Sequence, residues 1–301
     1  MFINGKEIKT TNDALAKFIF TTEGSEDICK NFTNAVLDDL NFKPIPDFSL
    51  TSPVFSSTTY DAKTNLFDVK GETSTNDQLD FEIQRTNHEG FEIRLINNNS
   101  RQFERVKQST EYGNYPYFYV IAIVNFNFKL SGNVPFFHNC FCYSSIVVKE
   151  SCLSYKAQIH VLEIPKWERI HKEPITIDSL KNYSQLDFFM KLFSDKTTYE
   201  EIQIMAAQNV AINYAKNKVD QFVLNDENLK AYSLAEEAEK VRRAEISYAV
   251  KEAVREAVKE ARNEKECEIV RNMLNDNLPF ETISKYTGLS SERITEIQST
   301  L

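Results

Sequence analysis

Glycine and proline are scarce in this chain, 7 and 8 among 301 residues, which excludes collagen-like and low-complexity classes. No apolar run reaches the ~18 residues needed to cross a bilayer. The opening "MFINGKEIKT" lacks the apolar centre of a signal peptide, so a cytoplasmic location is expected. The five cysteines, at 29, 140, 142, 152 and 267, are odd in number and scattered. They imply neither a disulfide framework nor a paired CxxC zinc site. Cys140-x-Cys142 with His138 is the one local cluster, and a half-buried strand alternating Phe137, Asn139, Phe141 and Tyr143 accounts for it better than a metal does. Positive charge is also in deficit. With 35 Lys+Arg against 44 Asp+Glu the formal charge is -9, which disfavours a protein that coats nucleic acid, since counterion release needs clustered cations. An enzyme touching DNA over one small basic face is not excluded.

What is present is enough for a sizeable core: 42% hydrophobic residues and 22 Phe exclude a disordered chain. Between Asn12 and Leu40 apolar residues recur at helical spacing, broken near "TTEGSED", which predicts two short helices. A loop-like stretch follows to about Ser57, with a strand expected at its end. Residues 65–70 and 78–86 are strand-like and joined by "ETSTND", a turn composition, so they form a hairpin. Residues 91–113 begin as strand-like and become a polar helix carrying Arg94, Arg101, Arg105 and Lys107. "YFYVIAIVNFNF" reads as a central strand buried on both faces, and "IHVLEIPKW", residues 159–167, as another. These elements make an α/β sheet domain.

Beyond Pro174 the periodicity is helical. "AVKE AVRE AVKE ARNE", Ala249 to Glu264, repeats every four residues, so its Ala-Val stripe advances about 40° per repeat and does not encode a heptad seam. It reads either as a long solvated helix or as an arm for self-association. The last segment reads as three short helices with a miniature core, Pro279 at a helix start, a Gly turn at "TGLS", and Ser290 or Ser291 as a cap. It is helix-turn-helix-like, yet Arg293 stands against Glu292 and Glu296, which favours packing or protein contact over independent DNA reading.

The residues with chemistry lie in the hairpin "LFDVKGETSTNDQLDFEIQR", 66 to 85. Strand alternation puts Asp68 and Lys70 on one face of the first strand, and Asp80, Glu82 and Gln84 on one face of the second. If Asp68 pairs near Glu82, two carboxylates meet, which is destabilising without a counter-charge. A hard divalent cation such as Mg²⁺, which prefers oxygen ligands, would supply it. A solvated hairpin face neutralised by Lys70 is the other account of the same residues.

"FDVK", a turn, then "DFEIQ" resembles the D…ExQ form of the PD-(D/E)XK nuclease signature, with Gln in the usual Lys position. In order along the chain, "NDALAKFIF", "NFTNAVL", the hairpin, "YVIAIVNFNF", "IHVLEIPKW" and "NMLNDNLPFETISKYTGLSSERI" are similar to segments of the recombination-promoting nuclease (Rpn) family, the PD-(D/E)XK nuclease family transposases. That resemblance implies a restriction-endonuclease-like mixed sheet flanked by helices, then an α-helical C-terminal region. It implies a nuclease-like domain at residues 1–195, a helical arm at 196–265 and a small helix-turn-helix-like tip at 266–301. It further implies a Mg²⁺-dependent, or Mn²⁺-dependent, DNA endonuclease linked to recombination or mobile elements. Asp68 and Glu82 would hold the metal, with the Ile83 carbonyl and Asp13 as further ligands. Gln84 and Lys70 would act beside it, and Arg94, Arg101 and Arg105 would meet DNA. The chain departs from the family pattern at Ala16, at "INNNS" in the basic helix, and at Asn277, where Gly is usual. A catalytically decayed, oligomeric interaction protein, assembled through the C-terminal helices, is the alternative.

Overall fold

The computed structural model describes residues 1–3, 5–56, 58, 69–106, 110–128, 134–148 and 151–299. Asp68, Lys107 and the start of the expected first hairpin strand lie outside them. The described residues divide into two compact units, Met1–Lys240 and Val241–Leu301.

The first unit begins with a two-stranded ribbon, β1 (Phe2–Ile3) and β2 (Lys6–Glu7), and two helices, α1 (Asp13–Thr21) and α2 (Glu26–Asp39). Asn12 caps α1, its side-chain oxygen accepting from the Ala14 and Leu15 amides. Asn41, at φ +59, ends α2: Asn41 N–H donates to the Asp38 carbonyl and Phe42 N–H to that of Leu37, so the orphan carbonyls are satisfied without a glycine. Six strands then form one mixed sheet in the order β3-β4-β5-β6-β8-β7. These are β3 (Ser49–Leu50), β4 (Val69–Glu72), β5 (Gln78–Gln84), β6 (Phe118–Val124), β7 (His138–Ser144) and β8 (Cys152–Glu163). β3, β4 and β5 are antiparallel neighbours, while β5–β6 and β6–β8 pair parallel. The crossover from β5 to β6 carries α3 (Phe91–Phe103).

The alternation of β5 and β6 divides the core in two. Leu79, Phe81, Ile83, Tyr119, Ile121 and Ile123 face the larger core, under α1 and α2. There Phe81 meets Phe20, Phe32 and Phe48, each ring 5.7 Å away. Val120, Ala122 and Val124 face α3, against Phe91 and Leu95. Helices α5 (Gln185–Phe193), α6 (Tyr199–Ala206) and α7 (Val210–Val223) complete the larger core through Phe189, Phe193, Ile202, Ile212, Val219 and Phe222. Residues 91–113 begin as helix, not strand: Gly90 at φ +79 turns the chain into α3. The strand expected over 159–167 starts earlier and stops at Glu163, because Pro165 opens helix α4 (Ile164–Ile170).

The long helix α8 (Asp226–Asn275) starts in the first unit and runs into the second. The first of the three expected C-terminal helices is therefore the end of α8 and not a separate element. Asn277, at φ +57, stops it: the Leu278 amide donates to the Met273 carbonyl and the Asn277 amide to Leu274. Asn tolerates the left-handed conformation, so the departure from Gly is accommodated. α9 (Phe280–Thr287) follows Pro279, Gly288 at φ +71 ends it, and Ser290 caps α10 (Ser291–Gln298). Val270, Ile283, Ile294 and Ile297 form the small core of this unit.

A buried polar chain runs along β7 and β8. His138 Nδ1 lies 2.7 Å from Asp39 Oδ2, His138 Nε2 2.9 Å from His160 Nδ1, and His160 Nε2 2.9 Å from Gln158 Oε1. Cys140 contacts His160, and the Cys142 and Cys152 sulfurs are 3.1 Å apart.

Two outcomes are expected. A Cβ on Gly71 would overlap the Phe48 ring, which is itself wedged against Phe81, so Gly71→Ala should cost about 1–3 kcal/mol in denaturant melts. Burial holds the His160 imidazole well below its ordinary value, so below pH 6.5 the unfolded chain takes up a proton that the folded chain refuses. Stability should fall as pH drops below that value. His160→Gln should flatten this part of the pH dependence, measured as the urea midpoint at pH 7.5 and 5.5.

Candidate active site

Parallel and antiparallel register together define the polar face of β5. Lys70 is the cross-strand partner of Asp80, and Val69 of Phe81. Across the parallel pair, Asp80, Glu82 and Gln84 stand beside Val120, Ala122 and Val124. The face that α3 covers is therefore apolar along β6 and charged along β5. Asp80, Glu82 and Gln84 are buried, at 2%, 3% and 4% exposure, so neither the two carboxylates nor the Gln84 amide can be left to water.

α3 supplies the compensation. Its residues Leu95, Asn99 and Gln102 turn to β6, where Asn99 Nδ2 donates to the Phe118 carbonyl at 3.2 Å and Gln102 Nε2 to that of Tyr119 at 2.8 Å. One turn apart on the neighbouring stripe, Arg94 and Asn98 reach Glu82. Arg94 Nη2 donates to Glu82 Oε1 and, at 2.7 Å, to Gln84 Oε1, while Asn98 Nδ2 donates to Glu82 Oε2 at 3.3 Å. Just past the helix, Arg105 Nη1 donates to Asp80 Oδ1 at 3.2 Å. The Gln84 amide nitrogen donates to the Thr86 carbonyl at 2.9 Å, which orients its oxygen toward Arg94.

Glu82 and Gln84 are thus brought together, with Arg94 bridging them, and Lys70 shares the hairpin with Asp80 on the same face. Ile83 points its side chain the other way, into the larger core. Arg101 is exposed, whereas Arg94 and Arg105 are turned onto the β5 carboxylates. Asp13 sits half-buried in the first turn of α1. Asp68 lies outside the described residues. Among the described residues no group of three or more His, Cys, Asp or Glu is arranged to hold a metal ion.

A second polar cluster closes the end of the sheet just past Gln84. Arg85 and Asn12 both donate to Glu236 of α8, Asn12 Nδ2 at 2.9 Å, and Thr86 donates to Glu239. Burial opposes ionisation of Glu236, but the Arg85 and Asn12 hydrogen bonds prevail and hold its carboxyl below the ordinary value. Thr11 and Asn125 converge similarly on Asp195. Sequence reading passed over Asn98 and Glu236. A helix recognised from residue 91 onward would have placed Asn98 four residues after Arg94 on one stripe. Nothing local marks Glu236, 151 residues from Arg85.

The helix pair, three-stranded meander, crossover helix and parallel strand that carry Glu82 and Gln84 are consistent with the PD-(D/E)XK fold. The family model of the PD-(D/E)XK nuclease family transposase matches residues 10–249. The chain belongs to that family. The match runs from just before α1 into α8, so it includes both polar clusters. No curated protein and no solved structure matches the chain. Membership in the PD-(D/E)XK transposase family supports a nuclease- or transposase-related role for the sheet domain. No helix among the described residues is long and apolar enough to cross a membrane.

Truncating Arg94 would strand the buried Glu82 charge. Arg94→Met is expected to cost about 2–4 kcal/mol. The same change in a Glu82→Gln background should cost at least about 1 kcal/mol less, a coupling that a double-mutant cycle by urea denaturation would read.

Proposed function

We propose that this protein is a metal-dependent DNA endonuclease that hydrolyses phosphodiester bonds, in a setting of recombination or mobile elements. The observation that carries the reading is the side-by-side burial of Glu82 and Gln84 on β5 in a chain of the PD-(D/E)XK family. Their oxygens are hard donors, the chemistry that Mg²⁺ or Mn²⁺ selects. A positive charge already bridges them: the Arg94 guanidinium contacts Glu82 Oε1 and Gln84 Oε1, while its Nε is buried without a hydrogen-bond partner. The donor set therefore fits a cation, and Arg94 stands in for it.

In this proposal Asp68 and Glu82 hold the metal, with the Ile83 main-chain carbonyl and Asp13 as further ligands. When bound, the cation polarises the phosphodiester and acidifies water. Gln84 and Lys70 orient the attacking water or its target. Arg94, released from Glu82, is drawn to a phosphate oxygen, a bidentate partner of the same charge sign as the carboxylate it leaves. Arg101 and Arg105 extend that cationic edge along the DNA backbone. Glu82 thus exchanges one cation for another and is never left buried with an uncompensated charge.

A second reading has its own observation. Both Glu82 oxygens and one oxygen of Asp80 are already occupied by Arg94, Asn98 and Arg105, as a decayed nuclease retained for interaction would have them. Supercoiled plasmid incubated with the full chain and Mg²⁺ or Mn²⁺ separates the two. Nicking is expected, and Asp68→Ala and Glu82→Gln should each reduce it at least about 100-fold, since even supporting residues of metal sites carry 10–100-fold. Nicking that persists in both variants would sink the site assignment. No calorimetric Mn²⁺ binding, together with no cleavage, favours the decayed form.

A further inference from the structure

Cys142 of β7 and Cys152 of β8 touch where these strands run past the rest of the sheet: the β6 ladder begins at Ala157, and from Cys152 to Ser154 β8 pairs with β7. The ladder there is irregular. Continued from the Phe141–Ile159 pair, the register would set Cys142 opposite Gln158 and Cys152 opposite Val148. Irregularities between Phe141 and Tyr143 and between Tyr143 and Ser144 slide the strands so that Cys152 faces Ser144 instead. That brings two free thiols to 3.1 Å. Both cysteines are half-buried, and Tyr143, Ile146, Val147 and Leu153 around them are exposed, so the sulfurs are within reach of a small solute.

The neighbours of the pair assign its hydrogens. Cys152 Sγ donates to the Tyr143 carbonyl at 3.2 Å, which commits its one proton. In the sulfur–sulfur contact Cys142 is therefore the donor and Cys152 the acceptor. Burial first, and then this hydrogen bond, push the Cys142 thiol above its ordinary value, so it keeps its proton. Cys140, two residues back along β7, is pushed up to about 12 by burial and stands against His160. Neither environment favours the thiolate that reacts. A thiolate at Cys152, by contrast, would accept the hydrogen bond that Cys142 already directs at it.

The geometry points to Cys142 and Cys152 as a reversible oxidation site for a hydroperoxide, Cys152 reacting first and Cys142 resolving it to a disulfide. The Cys152 thiolate attacks one peroxide oxygen, the O–O bond breaks, and a sulfenic acid is left. The departing hydroxide takes up the proton that Cys152 had released. The Cys142 sulfur then attacks the Cys152 sulfur: an S–S bond forms, the S–O bond breaks, and the hydroxyl leaves as water with the Cys142 proton. Two thiols lose two electrons, and hydrogen peroxide, the simplest such oxidant, is reduced to two waters. The sulfurs have only to close from 3.1 Å to about 2.05 Å. The new bond ties β7 to β8 where their ladder is interrupted. In a reducing compartment such a bond is a transient sensor and not a permanent staple. The inference is independent of whether the sheet domain cleaves DNA.

Thiol counting on the full chain tests it, by maleimide labelling and intact mass before and after stoichiometric hydrogen peroxide. The count should fall from five to three and return to five with dithiothreitol, and a non-reducing peptide map should show Cys142 joined to Cys152. In Cys142→Ser the Cys152 sulfenic acid should persist and be trapped by dimedone. Its yield should be at least about tenfold above that at Cys142 in Cys152→Ser. Circular dichroism verifies that both variants keep the fold. Five thiols surviving excess peroxide in the wild-type chain, or a crosslink between any other two cysteines or between two chains, overturns the site. Trapping chiefly at Cys142 refutes the order of attack.

Discussion

Much of this structure depends on one electrostatic constraint: acidic side chains on a strand that is buried on both faces must be neutralised from within the protein. β5 is flanked by strands on both edges, by α1 and α2 on one face and by α3 on the other, so Asp80 and Glu82 have no access to bulk water. That requirement dictates the composition of α3. One of its stripes is apolar or amide-bearing and fits β6. The other presents Arg94 and Asn98, with Arg105 just beyond, and fits β5. A helix with only an apolar face would leave charges stranded at a cost of several kcal/mol each.

The two polar clusters at β5 differ in composition and so in what they can do. The one at Glu82 is framed by a single helix, and its cation is an arginine whose side chain retains 20% exposure. The one at Glu236 ties together the loop before α1, the residue after β5 and the start of α8, segments distant in sequence. The second holds the first in place from the end of the strand, because Arg85 directly follows Gln84 and its side chain is 5% exposed. The family match likewise extends past Glu236 into α8. The opening turns of α8 belong to the sheet domain by contact.

Much of this is legible in the sequence. The hairpin, the buried central strand and the paired N-terminal helices are written in alternation and in helical spacing, which are local signals. The Gly turn of the C-terminal unit and its Ser290 cap are likewise local. What escaped was of two kinds. "FEIRLI" alternates apolar and polar residues like a strand, and only packing of Phe91 and Leu95 on β6 selects the helix. "EIPKW" continues an apolar run, and the proline that ends the strand is also compatible with its edge. The Glu236 partnership could not be read at all, since a contact across 151 residues leaves no periodicity. The face of Glu82 and Gln84 followed from the pleat alone, while the inward turn of Arg94 follows from burial, which composition does not reveal.

The amide anchors of α3 have a consequence for tempo. Asn99 and Gln102 grip main-chain carbonyls at the start of β6, fixing the helix along its axis independently of any charge on β5. The guanidinium beside them can then change its companion by rotating its own single bonds, with the backbone standing still. A rotation of that kind moves a side chain alone, whereas hinge motion moves whole segments over microseconds to milliseconds. Exchange at this face would then require one side chain to turn, not a door to open.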